Sequence, residues 1–509
     1  MKKKVSKHSI FKAVLLTLGI IILLTWILPA KTVGTEGLEA AGRVQVGLFD
    51  FVSYLYEVPY LLIYYGLYNG IMNDPMYILV VGAFYGLLYK TNAYRNLLDR
   101  IKDRYEGREW IFLTLVMILF AVLSSVAGMS YVLIALFPLV FGVMMLMGYS
   151  KVTAVLTTVG SVAVGTLANT YYNAAGSAAV LSTLSLAPST DIVAKIIVLV
   201  LAICLLVFNV LRYAKAYKIS EPRKGFTYPE TKNKKAKVWP LVLVLDCTLL
   251  ILLLSMISWS STFNVDAFSK ALEKVTAFEI AKFPIFGKIF GTNGLTAFGA
   301  WGMGQIITLF IVSGLMIMLL CKVKFNDAID GIVSGLMKAI KPAALLVLVY
   351  TLIFITGNSP VLFTIIEPIL KLSSKFDVIS VFTVSISSLI SHLMNVDLTF
   401  SSYSILSYVQ ILFTDTSAAH VIGFIVQATY GLAMLFVPTS VILVAVLSYT
   451  GVSYVKYLKA VWKLVLELFA LIILTSLLLI KAYKWFIICA VIVVAIVVLA
   501  LVLKHRKNN

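Results

Sequence analysis

Residues Ala418 to Lys463, AAHVIGFIVQATYGLAMLFVPTSVILVAVLSYTGVSYVKYLKAVWK, form a membrane-length apolar run broken by Val437-Pro438-Thr439-Ser440. Proline has no amide to donate and crowds the preceding turn, so the helix is expected to unwind there. Unwound backbone at bilayer depth survives only where protein or a wet cavity satisfies it. A second interruption, Ala168-Asn169-Thr170-Tyr171-Tyr172-Asn173, follows Gly160 and Gly165 in the run that begins at Ser150. The two breaks lie about 269 residues apart. Paired broken segments in two halves of a chain point to the binding site of a transporter, and the expectation is a secondary transporter.

The composition agrees with that class. With 61% apolar and 13% charged residues in 509, the chain reads as a polytopic membrane protein, and several uncharged runs of about 18 residues are long enough to span a bilayer. The formal charge of +19 sits in loops and at the termini, which is the positive-inside pattern. Membrane surface, and not nucleic acid, is therefore the expected partner of the basic residues. Cys204, Cys247, Cys321 and Cys489 lie within apolar runs without metal-ligand spacing. Lys2-Lys3-Lys4 before Ile10 to Leu28 resembles the start of a signal peptide, yet no small-residue cleavage site is obvious and an uncleaved first helix fits equally.

The basic loops set the topology. Lys2 to Lys7 place the N-terminus in the cytoplasm, and Lys31 to Gly47 then lie outside. Phe51 to Tyr68, carrying Glu57 and Pro59, is expected at the interface or in a re-entrant position. Pro75 to Tyr89 is a short span, and Lys90 to Lys102 has apolar residues at helical spacing amid basic ones, as an amphipathic surface helix does. Trp110 to Leu123 leads to Ser124-Ser125-Val126-Ala127-Gly128-Met129-Ser130, the expected tip of a helical hairpin whose second arm ends at Gly148. Because the linker Lys215 to Lys237 is again basic, the hairpin either re-enters from the cytoplasm or crosses twice.

The second half repeats the order. Trp239 to Ile257, an outside segment through Phe290 and Ile306 to Leu320 precede a span at Ala343 to Thr356, an amphipathic segment at Val361 to Leu372, a helix at Phe376 to Ile390 and a polar tip from His392 to Ser402. Spans, amphipathic segments, tips and breaks recur at an offset of about 268 residues. Since the first amphipathic segment lies inside and the second outside, the repeats have opposite orientation. The expected fold is an all-α polytopic membrane protein with two inverted-topology repeats, re-entrant helical hairpins and broken helices. Residues 1–213 hold the first repeat with the N-terminal helix, 214–238 a basic cytoplasmic linker, 239–480 the second repeat, and 481–509 an extra transmembrane helix and basic tail. Val465 to Ile480 and Phe486 to Leu503 are read as two separate C-terminal helices, with the C-terminus cytoplasmic.

Several motifs carry a family resemblance. Gly128-Met129, Phe137-Pro138-Leu139, Gly148-Tyr149, Thr153-Ala154-Val155, Gly160, Gly165 and Asn169 resemble the first-half signature of YfcC-type carriers, relatives of the anaerobic C4-dicarboxylate carriers in the ion transporter superfamily. Gly431, Pro438-Thr439-Ser440 and Gly451 to Lys459 are similar to that family's second-half break and the helix after it, and Lys90 to Tyr94 to its early cytoplasmic motif. Members are commonly described as basic amino-acid antiporters. Here Ser130, Tyr131 and Val132 stand where the family usually has two acidic residues, and Asn395 to Ser402 replaces a Ser-Gly-rich tip. The resemblance implies a homodimer in the plasma membrane of a prokaryote and an elevator motion of hairpins and broken helices against a scaffold.

If tips and breaks meet near the midplane, half-helix N-termini offer amides to anions and C-terminal ends offer carbonyls to cations. Ser124, Ser125, Ser130, Asn169, Thr170 and Asn173 are the expected ligands from the first half, and Asn395, Asp397, Thr399, Ser401, Ser402, Thr439 and Ser440 from the second. The plainer reading is that these hydroxyls bond back to their own helices. Asp397 is an acid at membrane depth, so it is a site hypothesis by default: it binds Na+, carries H+, or pairs with a substrate amino group, unless the tip is shallow and it faces water. His392, close in sequence, either shares a proton with it or, as such histidines more often do, packs against the protein. Asp246, the other intramembrane acid, is expected to pair with a basic residue between helices or to serve ion coupling.

No GxSxG, HExxH or Walker motif is present, and the linker is too short for a nucleotide-binding domain. Neither an enzyme nor an ATP-driven pump is expected, and no cofactor beyond a coupling ion, Na+ or H+. The cargo is expected to be an amino acid or small carboxylate. A channel, or a membrane-embedded enzyme or assembly protein on a carrier scaffold, is the alternative.

Overall fold

The computed structural model describes residues 9–493 apart from 35–36, 43–44, 65–73, 92, 171–174, 188, 219–235, 281–282, 291–295, 374, 396 and 415. Helix α1 (Ser9–Ile27) buries Ile10, Val14, Leu18 and Ile21 along one stripe and turns Leu16, Leu23 and Ile27 outward. An apolar residue on both faces is what a helix between protein and lipid requires. The strands β1 (Ala30–Val33) and β2 (Leu38–Gly42) form an antiparallel hairpin. The first half continues through α2 (Leu48–Tyr64), α3 (Asp74–Lys90), α4 (Ala93–Arg104), α5 (Glu109–Ala127), a 3₁₀ turn at Val132–Leu136, α6 (Phe137–Leu146), α7 (Lys151–Leu167), α8 (Ala175–Thr183) and α9 (Ile192–Ala216). The second half has α10 (Trp239–Met256), α11 (Met303–Leu320), α12 (Phe325–Asn358), α13 (Leu362–Leu370), α14 (Val378–Met394), α15 (Leu398–Leu412), α16 (Ala419–Ala433), α17 (Val441–Thr450) and α18 (Tyr454–Leu479). A last helix, α19, covers Tyr483–Val493.

Among the described residues seven helices, α1, α5, α9, α10, α11, α12 and α18, are long and apolar enough to cross a membrane. The shorter apolar helices α6, α7, α14, α16 and α17 are the half-length pieces that hairpins and broken helices need. The protein is a multi-pass membrane protein. From α3 to α9 the order is span, amphipathic helix, hairpin, broken helix and long helix, and the same order recurs from the second half of α12 to α18.

Glycines hold the two halves together. An added Cβ at Gly86 would fall 2.1 Å from the Gly331 carbonyl oxygen, and one at Gly335 would fall 2.1 Å from that of Gly82. Such small-residue spacing lets backbones approach without the hydrophobic drive that water supplies elsewhere. Gly82 faces Gly335 and Ala339, whereas Gly86 faces Gly331 and Gly335, so α3 and α12 run antiparallel. Equivalent helices packed head to tail are the inverted repeat in its most direct form.

Three expectations need correction. The span placed at Ala343 to Thr356 is the end of α12, a 34-residue helix that starts at Phe325 and passes through Pro342. Buried Ala339 and Ala343 flank that proline, and packing on α3 holds the helix across it. The helix expected at Val465 to Ile480 is likewise the end of α18, which already begins at Tyr454, so the amphipathic helix expected after the break and this one are a single helix that carries Lys456, Lys459 and Lys463. The first tip unwinds at Gly128, in the left-handed region with φ 61°, and not at Ser124, which is still helical.

The β1–β2 hairpin is tied to α13. The Glu367 carboxylate accepts from Lys31 Nζ and, at 2.6 Å, from Lys371 Nζ, while the Lys31 amide donates to Pro360 O at 3.1 Å. The hydrogen bond from Lys31, followed by that from Lys371, holds the Glu367 carboxyl below its ordinary range. A carboxylate depressed in the folded state stabilises above its unfolded pKa and loses that contribution as the pH falls through the folded value. The tie is therefore complete at neutral pH and lost in acid. Hydrogen exchange of Lys31 and Thr32, corrected for intrinsic rate, is expected to quicken in acid, and Glu367→Gln should be quick at both pH values. Equal protection in the variant at neutral pH would show that the ion pair is ornamental.

Candidate functional site

At the first tip, side chains stitch α5 to the end of α7. Ser124 Oγ lies 2.8 Å from Ser130 Oγ and 3.1 Å from Thr166 Oγ1, which is itself 2.9 Å from Ser130 Oγ. Ser125 Oγ donates to Ala168 O at 2.6 Å, and the Thr170 amide returns a bond to Ser125 O at 3.1 Å. Gly165 permits this closeness, since a Cβ there would meet Ala121 O at 2.3 Å. The hydroxyls thus satisfy the backbone that the break at Ala168 leaves open.

The second tip is built around His392. Its Nδ1 is 2.6 Å from Ser401 Oγ, and its Nε2 is 3.0 Å from Ser388 Oγ, 3.1 Å from Val426 O and 3.2 Å from Thr429 Oγ1. Asp397, partly buried, caps α15 by accepting from the Thr399 amide at 2.6 Å. Thr439 in the Pro438 break donates to Leu393 O at 3.2 Å, and Ser440 caps α17. Asn395 bonds back to Ser391 O, and Ser402 Oγ is buried with no hydrogen-bond partner among the described residues.

The halves meet between these tips. Tyr131 and Tyr430 share a hydrogen bond of 2.8 Å between their hydroxyls, Gln427 Nε2 donates to Thr166 O at 2.9 Å, and the His392 ring stands edge-on to Tyr430. Asp74 at the start of α3 accepts from the Tyr350 hydroxyl of α12 at 2.6 Å. Asp74 lies within electrostatic range of Asp397, and both carboxylates act on the Tyr131 and Tyr430 hydroxyls. Tyr131, His392, Tyr430, Met434, Thr439 and Ser440 border a cavity of about 10 Å³, room for about one water molecule. A larger cavity of about 50 Å³ between α3, α6, α12 and α17, lined by Tyr85, Phe137, Lys338 and Tyr449, is apolar, and neither carboxylate opens onto it. Size alone does not make it the site.

One feature of the chain sets the chemistry. No lysine or arginine occurs in residues 44–89, 109–150, 152–194, 342–370 or 376–455, which supply every group at the two tips and between them; Lys338 lines only the separate apolar cavity. The site carries carboxylates and hydroxyls without a fixed cation.

The expected residues therefore converge, with differences. Ser124, Ser125, Ser130 and Thr170 meet at the first tip, with Asn169 buried beside them, and Asn173 lies outside the described residues. Asp397, Thr399, Ser401 and Thr439 meet at the second. Asp246 does not belong to the site: it is exposed on the outer face of α10, opposite buried Val244 and Thr248, and no ion pair reaches it among the described residues. Asp74, Tyr131, Tyr350, Tyr430 and Thr166 escaped the sequence reading. The signal for Asp74 was an acid opening a span in a stretch without basic residues.

The profile of the C4-dicarboxylate anaerobic carriers (DcuC) matches residues 44–483, which includes both tips and both breaks. The chain belongs to this family. The carrier is thus a membrane transporter and not an enzyme. Among solved structures, the YdaH transporter of Alcanivorax borkumensis aligns at a TM-score of 0.38 and 12% identity over 93% of this chain and 97% of that one, a likeness at which neither detail nor substrate transfers. A comparison with curated protein sequences found no match.

Proposed function

We propose that the carrier is a cation-coupled secondary transporter of a small organic solute bearing both a carboxylate and an amino group. The observation that supports this most is the pair Asp74 and Asp397 between the halves, in segments without any lysine or arginine. A buried charge is tolerated only when paired. The counter-charge then arrives with the cargo or with a coupling ion, H+ or Na+. A zwitterion suits both demands: its ammonium group meets Asp397, and its carboxylate meets the N-terminal amides and hydroxyls around Ser440. Family membership favours a second reading, a C4 dicarboxylate, which would enter this acidic site with accompanying cations. Cytoplasmic termini, a homodimer and an elevator motion of α5 to α8 and α14 to α17 against the remaining helices complete the proposal.

The test is uptake of labelled amino acids and C4 dicarboxylates into proteoliposomes, with and without sodium and pH gradients. Saturable amino-acid uptake that needs a gradient is expected. Uptake of dicarboxylates alone would move the reading to the second cargo, and non-saturating current without countertransport would replace a carrier by a channel.

A further inference from the structure

Asp74 is only 6% exposed and is the first residue of α3. Among the described residues its hydrogen-bond donor is the Tyr350 hydroxyl at 2.6 Å. The groups that face it are acids and phenols: Tyr350 from α12, Tyr77 one turn along α3, Tyr131 from the first tip, and Asp397 and Tyr430 from the second half. Of the other elements packed on α3, α11 and the 3₁₀ turn at Val132–Leu136 contain no titratable residue, and α4 joins at the opposite end. Of the lysines of α12, Lys338 sits by Tyr89, about 22 Å along α3 from Asp74 at 1.5 Å per residue, and Lys341 is exposed on the outside of its helix. Residues 65–73, which precede Asp74, contain neither lysine nor arginine.

Asp74 and Asp397 differ in how they are held. The Thr399 amide at the start of α15 donates to Asp397, which thereby caps its own helix. Asp74 has a phenol and the N-terminus of its own helix, and a helix end alone does not offset burying a carboxylate beside a second one. A sodium ion requires a shell of several oxygens, whereas the oxygen that the structure sets at hydrogen-bond distance from Asp74 among the described residues is the Tyr350 hydroxyl. A proton needs only the carboxylate and one oriented neighbour.

We propose that Asp74 is a proton-binding group of the carrier, oriented by Tyr350, and that the proton it takes up and releases couples transport to the pH gradient. Binding converts the carboxylate to the neutral acid and removes one of two facing negative charges. Release restores both. Occupancy of Asp74 therefore changes how strongly Asp397 holds the ammonium group of the solute, without Asp74 touching that solute. The transport arm of this inference rests on the carrier reading above, whereas proton binding itself does not.

The test uses the full chain reconstituted in liposomes. Infrared difference spectra between alkaline and neutral pH are expected to contain the carbonyl-stretch band of a protonated carboxylic acid in the wild type, to lose it in Asp74→Asn, and to shift it in Tyr350→Phe. In the same liposomes Asp74→Asn should lose stimulation of uptake by a pH gradient, and Tyr350→Phe should move the pH profile of that stimulation. The asparagine keeps the acceptor for Tyr350, so the fold is preserved, and thermal melting checks this. A band that persists in Asp74→Asn, or a variant still driven by the pH gradient, overturns the proposal. If no solute moves in the wild type, the proposed function fails, while the infrared arm still decides for or against the proton at Asp74.

Discussion

Asp397→Asn is expected to abolish gradient-driven uptake while the protein stays folded. Asparagine caps a helix about as well as aspartate, so the bond to the Thr399 amide at the start of α15 survives and stability should change by only a few tenths of a kcal/mol. The charge does not survive. Truncating one partner of a buried, hydrogen-bonded charge pair costs about 2–5 kcal/mol, which at about 1.4 kcal/mol per decade is a loss of roughly thirty- to several-thousand-fold in apparent affinity. Asp397→Ala separates the two roles, because it loses the cap as well and should melt earlier by about 1 kcal/mol. Transport kinetics beside melting curves for both variants make the check. Wild-type uptake by the asparagine variant would reduce Asp397 to a cap and move the site to Asp74 and the first tip.

Gly431→Ala should have the second largest effect, and through geometry alone. A Cβ at Gly431 falls 2.2 Å from the Leu167 amide nitrogen, 2.4 Å from its Cα and 2.7 Å from Ala163 O. All three are backbone atoms, so no rotamer change relieves the clash, and α7 and α16 must separate. Separation pulls on the Gln427 bond to Thr166 O and on the Tyr131–Tyr430 pair, the links that bring the two breaks together. Overpacking of this kind costs about 1–3 kcal/mol or more. Transport is expected to fall further than the melting temperature, because the displaced atoms lie at the site. Gly423→Ala is the control on the same helix: its Cβ meets methyl groups of Leu184 and Leu186 at 3.1 Å, which can turn aside. Similar losses in both variants would mean that α16 tolerates no added methyl anywhere and that the contact with α7 has no special role.

Much of the fold was legible because membrane physics reduces the alphabet. Apolar runs, basic loops and the Pro438 and Asn169 breaks placed both halves, and the offset between them survived in the helices observed. The errors fell where packing overrides local signals. Pro342 lies inside α12 because α3 packs against it, and a sequence reading stops a helix at such a residue. The basic start of α18 was read as a helix separate from the apolar one after it, yet lysines on the first turns of a continuous helix reach water equally well. At the site, Ser124, Ser125 and Thr170 were readable since hydroxyls beside a break have a job to do. The Tyr131–Tyr430 pair and the approach of Asp74 to Asp397 join residues roughly three hundred positions apart, and no local pattern encodes such meetings. Asp246 misled for the opposite reason: its depth in the sequence said nothing about which side of α10 it faces.

The missing lysines and arginines also give the carrier an electrical signature. With histidine aside, every fixed charge in the segments that build the site is negative, so the empty core carries charge that no protein group cancels. A potential acts on each such charge with about 2.3 kcal/mol per 100 mV if it traverses the whole field. With Asp74 protonated, cargo of net charge +1 offsets Asp397 and leaves voltage to act chiefly on the empty return. A zwitterion leaves the net charge unchanged, so voltage acts on both passages, and turnover at saturating solute should bend with membrane potential in either case.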